Sequence, residues 1–280
     1  MTVETSFARI GIVGLGLMGG SLARALAGLP RPPEVAAWSP DPAERARALA
    51  AGVLAHAPER AEGVLDADLV VYAVPLRALL SLMEAHASLW PPGAVVSDVG
   101  SLKAPVRDAA GPGAAYVGAH PMAGGHASGF DAARADLFEG ARVWLTPGAG
   151  ASPAEVAAVA GLWRALGARP ETIDAHEHDR RMSLASHLPQ AASSALALAL
   201  AEHAVAPAEL GPGGRDATRL AASSPDLWVE LLLAARRADM AALDGFQHAL
   251  AALRDAIERG DEPALRALLE RARAWKEGGQ

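Results

Sequence analysis

The stretch IGIVGLGLMGGSLARAL, residues 10–26, constrains this chain more than any other. An apolar run of strand character meets Gly14-x-Gly16-x-x-Gly19 and passes straight into a helical pattern. Gly14 permits a tight turn, Gly16 lets a ligand approach the backbone, and Gly19 lets a helix pack closely on a sheet. The helix that opens here would offer the amides of Leu17 and Met18, at the positive end of its dipole, to phosphate groups. Alone the motif is weak. After a first strand and before further strand–helix alternation, it predicts a dinucleotide-binding turn.

That alternation is present. Apolar runs recur at Glu34–Trp38, Ala67–Val74, Gly93–Val99, Ala115–Ala119 and Arg142–Thr146, with helical patterns between several of them. Asp41-Pro-Ala-Glu44 and Ser152-Pro-Ala-Glu155 both have capping-box spacing, each with proline at the first helical position. Strands alternating with helices imply βαβ units and a parallel sheet. From about Ile173 the strand pattern stops, and helices are expected over Glu177–Val205, Gly214–Ala222, Asp226–Gly260 and Glu262–Trp275. The fold class is therefore α/β: a Rossmann-type doubly wound parallel sheet over residues 1–172, then an all-α dimerisation domain over 173–280. Ala191–Ala201 is apolar or small on every side, so its helix should be buried nearly all round. The other helices are too few to cover it, and a homodimer through this domain is expected.

With 280 residues, 51% of them hydrophobic, the chain can build two cores. The absence of cysteine excludes disulfides, a thiolate nucleophile and a thiolate metal site, and suits a reducing cytoplasm. The opening MTVETSFARIGIVG lacks the regions of a secretory signal, and Ala191–Ala201 is too short to span a membrane. A net charge of −7 without basic runs argues against nucleic acid. A cytoplasmic enzyme of small molecules, with no nucleic-acid, membrane or metal partner, is expected.

Ligands of a doubly wound sheet sit at the carboxyl ends of its strands. There the chain places Ser39-Pro-Asp41, Val74-Pro75, SDVGSLK (97–103) and GAHPMAGGHASG (118–129). An acid about 20 residues past the glycine turn would take the ribose 2′-hydroxyl of NAD. Here Ser39 stands in that place. A serine suits a 2′-phosphate, yet the nearest arginine is Arg45 and Asp41 would repel one. NAD is favoured, with NADP left open, and Gly14, Gly16, Leu17, Met18, Gly19, Ser39, Asp41, Val74, Pro75 and Ser101 are the expected cofactor contacts.

In order, GLGLMGGSLA, SDVGSLK, GAHPMAGGHASG, SHLPQ and GGRDATRLAASSPDLW resemble the prephenate/arogenate dehydrogenase family over roughly residues 8–245. The resemblance implies hydride removal from C4 of a cyclohexadienol, loss of the ring carboxylate as CO₂, and an aromatic product of tyrosine biosynthesis. It implies His120 as the base for the 4-hydroxyl, a task suited to imidazole, and Ser101 as the hydroxyl that orients it. It assigns His187 of SHLP to substrate binding, Arg219 to a carboxylate clamp and Trp228 to the site entrance. Asp216, three residues before Arg219, could hold the guanidinium. His126 departs from the family, which often has an acid there at the pocket mouth. Prephenate is the expected substrate, with arogenate as the alternative. No dedicated regulatory domain is expected.

Two rival readings remain at this point. GLGLMG also resembles β-hydroxyacid dehydrogenases, but their catalytic lysine is usually followed four residues later by asparagine, and this chain has none. A non-catalytic NAD(H)-sensing module would not need His120, Ser101, His187 and Arg219 together.

Overall fold

Ile10, Ile12 and Val13 are buried, as befits a strand covered on both faces. The structure, a computed structural model, describes residues 5–125 and 127–278. β1 (Arg9–Val13) lies between β2 (Glu34–Trp38) and β3 (Leu69–Tyr72), with β4 (Val95–Asp98) beyond β3, and all four are parallel. Every residue of β3 and β4 is buried. Helices α1 (Leu17–Ala27), α2 (Pro42–Ala50), α3 (Leu76–His86) and α4 (Ala104–Ala110) follow the four strands in turn.

β5 (Val117–Pro121) joins the edge of β4 through the Val96–Tyr116 bridge, with Val96 N donating to Ala115 O at 3.0 Å. The parallel pattern ends there. β6 (Arg142–Pro147) runs antiparallel to β5, and β7 (Arg169–Thr172) runs parallel to β6 after helix α5 (Pro153–Ala165). β7 is a strand that the apolar runs do not announce. Its sequence RPET is mostly exposed, and an edge position tolerates Pro170. Ser152 and Glu155 complete their capping box, whereas Asp41 caps Ala43 N while Glu44 turns elsewhere.

Where β4, β5 and α4 meet, Lys103 is fully buried. Its Nζ donates to the Asp98 carboxylate and to Ala119 O, while Tyr116 Oη donates to Asp98 at 2.7 Å. Burial pulls the Lys103 ammonium below the usual lysine range, and Asp98 opposes that shift. Burial and the Asp98 charge push the Tyr116 phenol well above its ordinary value.

Packing divides the chain into two compact units: one runs to Met182 and includes Ala222–Ala234, and the other combines Ser183–Ala221 with the residues from Ala235 onward. Helix α6 (Ala175–Met182) belongs to the first unit and packs on β6 and α4. The segment expected as one helix over Glu177–Val205 is interrupted by a π turn, Ser183–His187, before α7 (Leu188–Glu202). Pro189 lies in the first turn of α7 and has no amide to donate, so the widened turn precedes it. α8 (Pro212–Thr218) ends in a 3₁₀ turn over Arg219–Ala222. The helix expected over Asp226–Gly260 is two, α9 (Pro225–Ala234) and α10 (Arg236–Glu258), and α11 (Glu262–Lys276) follows.

The expected all-round burial of α7 does not hold within one chain. Only Gln190 and Ser193 of this helix are buried, and Leu198 is 66% exposed. Its cover is absent from the protomer. Among the described residues, no helix is long and apolar enough to cross a membrane.

Removing one partner of a buried ion pair strands the other charge. Lys103→Met should therefore lower the unfolding free energy by about 3–5 kcal/mol, read by urea denaturation; a loss below about 1 kcal/mol would show that Asp98 has other support.

Candidate active site

The glycine turn has the geometry a diphosphate needs. Gly14 has φ +109°, and its amide donates to Trp38 O at 2.7 Å, which ties the turn to the end of β2. A Cβ at Gly14 would meet Ala73 O at 2.4 Å, so a side chain is excluded there. A Cβ at Gly16 would meet nothing within 4 Å; the space above this backbone is open, and any side chain would fill it. Gly16 is also the N-cap of α1 and has no side-chain oxygen to give. The first amides of α1, including those of Leu17, Met18 and Gly19, thus start a helix without a side-chain cap. This cradle suits the diphosphate of a dinucleotide. Val74 and Pro75 form the adjoining turn, with Pro75 as N-cap of α3. Ser39 is buried just beyond β2, and Asp41 is occupied as the cap of α2.

The segment after β5 folds back over the start of α1. A Cβ on Gly125 would contact Leu17 Cδ2 at 3.5 Å, and Phe130 and Ala133 close on Gly20. His120 lies in β5, the strand from which this segment departs, rather than in the loop that follows. It is the fourth residue of β5, opposite Trp144 of β6.

Its surroundings explain how it is held. His120 Nδ1 lies 2.9 Å from His178 Nε2, with the rings edge to face. His178, fully buried on α6, lies 2.7 Å from Asp179 Oδ1 through its Nδ1. Asp179 also accepts from Lys103 N at 2.8 Å and Ala104 N at 2.9 Å, so it caps α4 from outside that helix. A carboxylate can only accept, so His178 Nδ1 carries the proton. With His178 in its neutral form, its Nε2 accepts from His120 Nδ1 and the lone pair of His120 falls on Nε2.

Ser101 is half-buried in the turn between β4 and α4. It does not cap α4, whose N-cap is Lys103 and whose first amides are taken by Asp179. His126 lies outside the described residues.

In the helical unit, His187 closes the π turn and is 2% exposed. Its Nδ1 faces both carboxylate oxygens of Asp239 on α10, at 2.9 and 3.1 Å. Arg219 follows α8 at the head of the 3₁₀ turn. Asp216 and Arg219 are both exposed and form no ion pair. Water competes for two exposed charges, and the helix changes type between them. Gln190 Nε2 donates to Leu220 O at 2.9 Å, and Ala221 N donates to Ser193 Oγ at 3.2 Å, so α7 pins the turn that carries Arg219. Trp228 is half-buried on α9, which packs against α3 in the first unit.

His178, Asp179 and Asp239 are the residues that motif reading missed. The run HEHD at 176–179 was the available signal, but in a polar helix it reads as a solvated face.

Two family models match the chain: the prephenate dehydrogenase nucleotide-binding domain over residues 22–172, and the prephenate dehydrogenase dimerization domain over residues 174–271. Cyclohexadienyl dehydrogenase of Zymomonas mobilis is 35% identical over 269 residues, 92% of this chain and 91% of that protein. Prephenate dehydrogenase from Aquifex aeolicus, solved with hydroxyphenyl propionate and NAD+, is similar with a TM-score of 0.88 and 28% identity, over 98% of this chain and 99% of that one. The arogenate dehydrogenase of Synechocystis has a TM-score of 0.85 and 27% identity, over 96% of this chain and 99% of that one.

If His178 orients His120, His178→Leu should lower kcat on the order of 10²-fold while nucleotide affinity stays within about twofold. An unchanged kcat in a folded variant would reduce the His120–His178 bond to packing.

Proposed function

This chain belongs to the prephenate dehydrogenase family, and we propose that it converts prephenate to 4-hydroxyphenylpyruvate and CO₂, with hydride transfer to NAD. It is an NAD-dependent oxidoreductase of tyrosine biosynthesis. The observation that carries the reading is the His120–His178–Asp179 chain on β5 and α6, in the same unit as the diphosphate cradle and on the strand whose following segment covers it.

NAD, held by the glycine turn and the first amides of α1, supplies the hydride acceptor. His120 Nε2 takes the proton of the substrate 4-hydroxyl as hydride leaves C4. The bond to the ring carboxylate then breaks, CO₂ departs, and its electron pair completes the aromatic ring. The proton returns to the same oxygen, so the reaction releases none overall. As His120 gains positive charge, the Asp179 carboxylate stabilises it through His178. Ser101 orients the 4-hydroxyl against the imidazole. We assign His187, fixed by Asp239, and the Arg219 guanidinium to the substrate carboxylates, and Asp216, His126 and Trp228 to substrate binding as well. We place the domain division at 172/173 by sequence, while packing carries the first unit on to Met182 and so keeps His178 and Asp179 with His120.

The helical unit acts as a homodimer. Leu198 of α7 is 66% exposed, Ile257 of α10 65% and Trp275 of α11 78%, an apolar surface that a second copy would cover. Cofactor and substrate are both soluble, and the cytoplasm is the proposed location.

Absorbance at 340 nm tests the reaction, with NAD or NADP supplied in turn against prephenate and arogenate. Reduced cofactor should form with NAD and prephenate, and His120→Gln should lower kcat by roughly 10²–10⁴-fold. Turnover confined to arogenate would transfer the reading to the amino substrate, and silence in every combination would end it. For the assembly, light scattering should give a dimer that Leu198→Glu with Ile257→Glu converts to monomer. A wild-type monomer would refute the interface.

A further inference from the structure

Two segments of this chain carry the same helix-start signature, and only one uses it in the ordinary way. At Ser152–Glu155 the glutamate carboxylate returns to the Ser152 amide at 2.6 Å. At Asp41–Glu44 it does not. Glu44 Oε2 accepts from Ser39 Oγ at 2.6 Å, and Oε1 accepts from Phe130 N at 3.1 Å, while Asp41 N donates to Ser39 Oγ at 3.2 Å. The carboxylate has been drawn from the helix start to the end of β2. Ser39 occupies the position just past β2 where a dinucleotide-binding sheet usually carries an acid for the ribose 2′-hydroxyl.

We propose that Glu44, anchored by Ser39, replaces that missing acid and selects the 2′-hydroxyl of NAD against the 2′-phosphate of NADP. The inference rests on the nucleotide site described above. A carboxylate accepts readily from a hydroxyl, whereas a phosphate would bring negative charge to it and no donor. The neighbouring charges point the same way. Asp41, Glu44 and Asp131 supply three carboxylates here against the guanidinium groups of Arg45 and Arg47. Arg47 is divided between Asp131 at 3.2 Å and Asp41 at 3.9 Å. Arg45 Nη1 is bonded to Ser39 O at 2.6 Å, which leaves it beside the Glu44 carboxylate that Ser39 holds. Loss of the Glu44 charge would leave two carboxylates against two guanidinium groups and so remove the local negative excess that opposes a phosphate. The residue that sequence reading associates with NADP, Ser39, thereby becomes the anchor of an NAD-selecting carboxylate.

Calorimetric titration of the purified protein with NAD+ and with NADP+, without substrate, tests this directly. Wild type should bind NAD+ about tenfold or more tighter than NADP+, the worth of one hydrogen bond to a charged group. Glu44→Gln should shrink that ratio by about tenfold, chiefly through tighter NADP+ binding. Ser39→Ala, which removes the anchor and leaves the Glu44 charge in place, should move the ratio in the same direction and serves if the glutamine variant does not fold. A wild type that prefers NADP+, or a ratio changed less than about threefold in a folded Glu44 or Ser39 variant, overturns the proposal. Failure to bind either nucleotide would instead remove the nucleotide site itself, and this inference with it.

Discussion

The buried ammonium of Lys103 is the point on which the first unit depends. An ammonium out of water is tolerable only when paired and hydrogen-bonded. Asp98 at the end of β4 and the carbonyl of Ala119 in β5 meet that demand, and Tyr116 holds the other carboxylate oxygen. The cluster therefore fixes the end of β4, the middle of β5 and the start of α4 together. Displacing any one of them would leave a buried charge without its partner, so the arrangement has little slack. His120 is the next residue after Ala119 and takes its position from that constraint.

A second carboxylate carries the order outward. Asp179 receives the first amides of α4 and also faces the imidazole of His178. The helix start and the ring orientation thus depend on one side chain. Because a carboxylate has no proton to give, Asp179 fixes a proton on His178 Nδ1, and a neutral His178 then accepts from His120. The proton chemistry proposed above rests on these supporting residues, and a thiolate is excluded because the chain has no cysteine.

The helical unit is built on different terms. What it buries on α7 is polar, Gln190 and Ser193, and both hold the turn next to Arg219. What it exposes is apolar, including Leu198, Ile257 and Trp275. A helix of alanine and leucine on all sides gains stability from contact area, and one chain does not provide that area. The specific bonds hold the turn that begins at Arg219, and the apolar faces are the surface proposed for a second copy.

Much of this was legible in the sequence, because local patterns carry it. The spacing Gly14-x-Gly16-x-x-Gly19, the apolar runs of β1 to β6, the caps at Asp41 and Ser152, and the disturbance at Pro189 all arise from interactions within a few residues. The family motifs likewise marked His120, His187 and Arg219 for function. Other features joined distant residues and left no local trace. The antiparallel pairing of β5 with β6 and the edge strand β7 depend on which strand reaches which. His120 meets His178 across 58 residues, His187 meets Asp239 across 52, and Glu44 meets Phe130 across 86. Periodicity told which face of an element turns inward, but not what it meets there. The sequence by itself determined most of the elements, the nucleotide turn and, through the family motif, the candidate base. Only tertiary structure decided which carboxylates stand behind those residues, because burial makes partners of groups that the chain order keeps apart.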